Sequence, residues 1–237
     1  MNARLRAAFS PVPEVGRRDT SLRYTDILFG FVIRELFIRL QNLPALRGVV
    51  IGHLVVGTTL VLGSWIGYRR SRNRTAYEVK FFNLPFFKFL VDQIMLILYF
   101  RIATLTPANV ADPPSDLTTH TLRLLVYIFG LYILWDALGT WMVKASTRDA
   151  SGTPKPKYPV VVEDEKTLQP KMSDKRDKVD MPGVLITVGF SLAIVVAWAK
   201  ADAVPALTIL AITTGLLLLY RWAKDYRTSW RSLQPAV

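Results

Sequence analysis

Charge inside apolar sequence is the chemistry this chain offers. Asp26, Arg34 and Glu35 lie in the stretch Arg23 to Leu40, Lys88 and Asp92 lie in Phe81 to Leu105, and Asp136 is the single charged residue between Leu124 and Met142. Charged side chains held in an apolar setting are costly; those that persist pair with one another, line an ion path or relay protons. Lys88 and Asp92 are spaced i, i+4 and can meet on one helical face. Glu35 has two arginines in reach, its own Arg39 at i+4 and the Arg34 of a neighbouring copy. Asp26 also has a plainer reading, because it or Thr25 can cap the first turn of a helix starting there. Asp136 is a functional candidate by its setting, or a residue that simply reaches interfacial water or a basic partner.

Other chemistries are missing from the inventory. There is no cysteine, which removes disulfides, thiolate catalysis and thiolate metal sites together. No Gly-rich phosphate loop, His-Glu-x-x-His, Gly-x-Ser-x-Gly or run of paired carboxylates is present. The two histidines, His53 and His120, are far apart in sequence, and His53 reads as a hydrogen-bonded residue, not a metal ligand. Neither an enzyme nor a cofactor or metal site is expected.

The elements that must carry these charges follow from hydropathy. Half of the 237 residues are hydrophobic although a fifth are charged, so the apolar residues are gathered in blocks. Gly48 to Tyr68, Leu124 to Met142, Gly183 to Ala199 and Val204 to Tyr220 are near the length of about 20 residues that crosses a bilayer as a helix. The charged stretches Arg23 to Leu40 and Phe81 to Leu105 add two, which makes six predicted spans and an all-α, polytopic membrane fold. Gly52, Gly57 and Gly63, with Thr58, Thr59 and Ser64, give the second span a small-residue face suited to close helix packing.

The basic residues fit that count. Arg4, Arg6, Arg17, Arg18 and Arg23 precede the first span, and Arg69, Arg70, Arg72, Arg74 and Lys80 follow the second. The connection 144–182 is lysine-rich, and Arg221, Lys224, Arg227 and Arg231 lie in the tail, whereas 106–120 has no Lys or Arg. Basic and non-basic connections alternate, as expected of six spans with both termini in the cytoplasm. The net charge of +12 is thereby spread along one membrane face, which argues against nucleic acid as a partner. The expected organisation is a flexible basic arm over 1–22, four spans over 23–143, a disordered polar connection over 144–182 and two spans with a basic interfacial tail over 183–237. Within the connection, Tyr158 to Val162 is the exception, able to form one short strand or a docking segment.

Tyr24-Thr25-Asp26, preceded by Arg23 and followed by Ile27-Leu28-Phe29-Gly30-Phe31, resembles the Phe-Ser-Asp signature that opens the first helix of the endolysosomal potassium channel family, transmembrane protein one-seven-five, and its bacterial relatives. The bacterial members are similar in length, in having six spans, and in a tryptophan near the end of the second helix, matched by Trp65. The resemblance implies a homotetramer in a bacterial inner membrane that passes K+ along a pore lined by four first helices. Phe31 would be the constriction, and Asp26 would bond to second- and third-helix groups such as Trp65 and Asn83. Where that family's second helix continues into a histidine pair, this chain has Tyr68 and Arg69.

A pore face starting at Phe31 continues at i+3 and i+7 to Arg34 and Ile38. At an effective dielectric near 20 and a separation of about 5 Å, each arginine would repel a cation by about 3 kcal/mol. Either that face is turned away, or Glu35 cancels Arg34, or no cation passes. Two readings of other classes stand beside the channel. One is a non-conducting scaffold or signal-responsive effector that holds a cytoplasmic partner through 144–182; the other is a proton-coupled carrier using Asp92 or Asp136.

Overall fold

A computed structural model describes residues 15–41, 48–74, 82–106, 116–148, 154–156, 160–163, 170–173 and 181–233. Among them are six helices: α1 (Val15–Leu40), α2 (Gly48–Arg74), α3 (Leu84–Thr104), α4 (Leu117–Lys144), α5 (Met181–Ala199) and α6 (Ala206–Leu233). Four of these, α2, α4, α5 and α6, are long and apolar enough to cross a membrane. α1 and α3 are also long, at 26 and 21 residues, but carry more charge. At about 1.5 Å per residue both exceed 30 Å, a typical hydrocarbon thickness. The turn at Asn42-Leu43-Pro44 and the loop at Asp112-Pro113-Pro114 lie outside the described residues.

The helices alternate in direction. Asp26 near the start of the apolar part of α1 bonds to Trp65 late in α2, whereas Arg39 at the other end of α1 reaches the carbonyl of Thr106, just past the end of α3. Asp136 late in α4 meets Thr187 early in α5 and Lys224 late in α6. α2 is the hub, in contact with α1, α3, α4 and α6, while α5 packs between α4 and α6. It can serve this way because it has no acidic residue and a notched surface. A Cβ at Gly57 would lie 3.2 Å from Ile102 Cγ2 and 3.4 Å from Leu36 Cδ2, and one at Gly52 would lie 3.2 Å from Leu210 Cδ1. At Gly67 a Cβ would overlap the Arg221 guanidinium. Small residues let helix backbones approach, which supplies packing where lipid removes the hydrophobic drive between helices.

Two local expectations are corrected. α1 does not begin near Thr25 but at Val15, so Thr25 and Asp26 are interior helical residues, not caps. The nearest strong breakers upstream are Pro11 and Pro13, and the helix runs back almost to them. The third helix begins where Pro85 leads one to expect, at Leu84, with Pro85 in its first turn and Asn83 as N-cap. The polar connection, expected to be disordered, contains two antiparallel ribbons: β1 (Ser146–Arg148) with β2 (Pro154–Pro156), and β3 (Val160–Glu163) with β4 (Pro170–Ser173). β3 coincides with the β-branched run Val160-Val161-Val162, and proline fits a two-stranded ribbon because every strand there is an edge.

Replacing Gly57 by leucine forces bulk into the contact with Ile102 and Leu36 and is expected to lower stability in detergent by about 1–3 kcal/mol. Gly189, where nothing lies within 4 Å of an added Cβ, is the control position, and Gly189→Leu is expected to leave the thermal midpoint nearly unchanged. Melting curves of the purified variants followed by tryptophan fluorescence check both.

Candidate functional site

α1 has two faces. Thr25, Phe29, Val32, Leu36 and Arg39 are buried, an i, i+4, i+7, i+11, i+14 stripe turned to α2 and α3. The opposite face carries Tyr24, Ile27, Gly30, Phe31, Arg34, Phe37 and Gln41, all exposed. Phe31 is 59% exposed and Phe37 60%, values at odds with aromatic residues in a bundle core. Of the three residues expected on one face, Phe31 and Arg34 share the open side, while Ile38 is half-buried and Phe37 takes the more exposed place.

Polar contacts at both ends hold the buried face in register. At one end Trp65 Nε1 donates to Asp26 Oδ1 at 2.8 Å, and Arg69 Nε lies 3.8 Å from Asp26 Oδ2. Beside it, Tyr68 donates to Thr25 Oγ1 at 3.1 Å. Asn83 Oδ1 accepts from the Phe86 backbone N–H and so caps α3. Arg23 lies in α1, but its side chain is outside the described residues. At the other end Arg39 is 7% exposed, donates through Nε to the Thr106 carbonyl at 2.6 Å, and through Nη1 to Glu35 Oε1 at 2.5 Å. Within the chain, Glu35 pairs with its own Arg39.

These contacts mark depth. At about 1.5 Å of rise per residue, Arg34 lies about 12 Å along the axis from Asp26 and about 8 Å from Arg39. Its side chain points to the face away from both, and no described residue forms a hydrogen bond or ion pair with it. Were α1 to cross a bilayer, an arginine facing lipid at its centre would cost about 2.5–3.5 kcal/mol on insertion scales.

The other charges are built into the bundle. Asp136 Oδ2 accepts from Lys224 Nζ at 3.0 Å and from Thr187 Oγ1 at 2.6 Å, which ties α4 to α5 and α6. Lys88 Nζ sits 3.7 Å from the centroid of the Trp135 ring, a cation–π contact. Asp92 is buried on α3. His53 uses both ring nitrogens, Nδ1 with Thr121 Oγ1 at 2.7 Å and Nε2 with the Ile102 carbonyl at 3.0 Å. Among the described residues there is no cluster of His, Asp and Glu suited to a metal ion.

Sequence reasoning missed the hydroxyl thread in which Tyr132 OH meets Ser64 Oγ at 2.5 Å and Tyr99 OH at 2.8 Å, joining α2, α3 and α4. Tyrosines inside otherwise apolar spans were the available signal, since a buried phenol must find a partner. Comparison of the chain with protein-family models, with curated proteins and with solved structures finds no match.

Trp65→Phe and Asp26→Ala are each expected to destabilise by about 1–3 kcal/mol, because each leaves the remaining partner with an unmet polar group. The double variant should lose less than the sum, which a double-mutant cycle on detergent-solubilised protein measures.

Proposed function

We propose that the chain is the subunit of a membrane ion channel in which several copies set the open face of α1 around a central aqueous path. In this reading all six helices span the bilayer, with both termini in the cytoplasm. The alternation of basic and non-basic connections favours that topology, as does the alternation of helix direction. The assembly is a homotetramer on the resemblance of the Tyr24-Thr25-Asp26 segment to the endolysosomal potassium channels. The same resemblance names potassium as the permeant ion, whereas the sign of the charge on Arg34 favours the opposite.

The observation that carries the proposal is the face of α1 itself. Its exposed residues run from Tyr24 to Gln41 with a charged guanidinium between them, while the reverse face is pinned to α2 and α3 by Asp26, Thr25 and Arg39. Lipid is a poor neighbour for Arg34, and water enclosed by further copies is a good one. Phe31, one helical turn from Arg34, is a bulky apolar side chain exposed on that stripe, which suits a constriction.

A scaffold or effector reading is favoured by a different feature, the ribbons β1–β2 and β3–β4, which offer open strand edges to a cytoplasmic partner. The two separate cleanly. Purified protein in liposomes is expected to release a salt gradient, and Phe31→Ala to speed the release. Deleting 153–178 should leave that flux in place and abolish only partner capture. Liposomes that stay tight to potassium, sodium and chloride at every voltage tried would defeat the channel.

A further inference from the structure

We infer that the ion selected at the open face of α1 is a small anion, chloride being the simplest probe, and that Arg34 is the residue that selects it. This rests on the channel reading above and adds the sign of the cargo.

Three earlier possibilities reduce to one on the geometry. The face is not turned away, because Phe31 and Arg34 are exposed on the same side of α1. Glu35 does not neutralise Arg34, because its carboxylate is held by Arg39 four residues on. Nor can a neighbouring copy supply an acid at that depth. Among the described residues the carboxylates of the apolar spans are Asp26, Glu35, Asp92 and Asp136. Asp26 is bonded to Trp65 and faces Arg69 at the helix end, Asp92 is 6% exposed inside the bundle, and Asp136 is occupied by Lys224 and Thr187. Copies of this chain brought together by α1 therefore present a ring of guanidinium groups with no matching ring of carboxylates.

The neighbours of Arg34 strengthen its influence. Phe31 and Phe37 flank it on the open face and offer no polar group that would compete for an ion. A charge ring between apolar constrictions acts in a narrow, poorly screened place, which is how side-chain rings set ion sign in other pores. Cations are repelled at that point, and anions are drawn in and held weakly enough to leave.

The test is the reversal potential of the purified full chain in planar bilayers under a KCl gradient, with sodium gluconate and sodium chloride exchanged on one side. Chloride is expected to permeate about tenfold or more better than potassium. Arg34→Gln should bring the ratio towards unity, Arg34→Glu should reverse it, and Arg34→Lys should recover what the glutamine variant loses. Size-exclusion profiles identify variants that no longer assemble. Wild-type current carried by potassium in preference to chloride overturns the anion inference and leaves the channel reading standing. Chloride current indifferent to Arg34→Gln overturns the role of Arg34. Absence of current with every ion overturns the channel reading itself, and the inference with it.

Discussion

A charge that enters an apolar helical bundle must be answered at its own depth, and the packing of these six helices follows from that requirement. Two polar layers result. One holds Asp26 with Trp65 and Arg69, and Asp136 with Lys224 and Thr187. The other holds Glu35, Arg39 and the Thr106 carbonyl, with His53 against Thr121 and Ile102 close by. All but the Glu35–Arg39 pair join different helices, so the layers fix both the neighbours and their vertical register. Packing alone is a weaker guide to register, because an apolar helix can slide along another at modest cost. An ion pair or a donor–carboxylate bond in low dielectric cannot be left unmade without a penalty of kcal/mol size.

Between the layers the bundle depends on α2. It has no acid and a succession of small residues, and Leu36, Ile102, Leu210 and Arg221 from three other helices come against its glycines. Ser64 on the same helix opens the hydroxyl thread to Tyr132 and Tyr99. Close approach and internal hydrogen bonding thus reinforce each other: the glycines bring backbones near enough for a short serine to reach a tyrosine. α5 and the first part of α6 present long aliphatic faces outward, with Leu185, Leu192 and Leu218 all exposed, as helices bordering lipid would.

Hydropathy made the helices legible, and the partners within one helix or one short turn were legible with them. Glu35 and Arg39 stand four apart, and the glycines of α2 announce a packing face. Trp65 was named as the partner of Asp26 through a resemblance, since nothing in the spacing of residues 26 and 65 reveals it. Contacts that need three-dimensional register were out of reach: Asp136 with Lys224, Lys88 with Trp135, and Arg39 with a backbone carbonyl that has no sequence signature at all. The start of α1 is not legible in the sequence for a related reason. Composition locates where a helix leaves an apolar medium, not where it stops being helical, and amphiphilic arginine-rich sequence continues a helix well. The ribbons in the connection went unread except at Val160 to Val162, because strands rich in Lys and Pro lack the alternation that marks a half-buried strand.

The proposed ion selectivity depends on which charges are cancelled, not on how many there are. The chain has a net charge of +12, yet most of its basic residues lie outside the apolar spans and say nothing about an internal path. Along residues 24–41 of α1 the formal charge sums to zero, two acids against two bases, and a count made on sequence would predict no preference. Folding breaks that balance. Both acids are drawn to the buried side, Asp26 towards Trp65 and Glu35 towards Arg39, which is itself anchored on Thr106. Arg34, about 100° round the helix from Glu35, is left on the other side alone. A formally neutral stretch of α1 thereby presents a positive face, and the polarity of that face is a consequence of the contacts that pin its back.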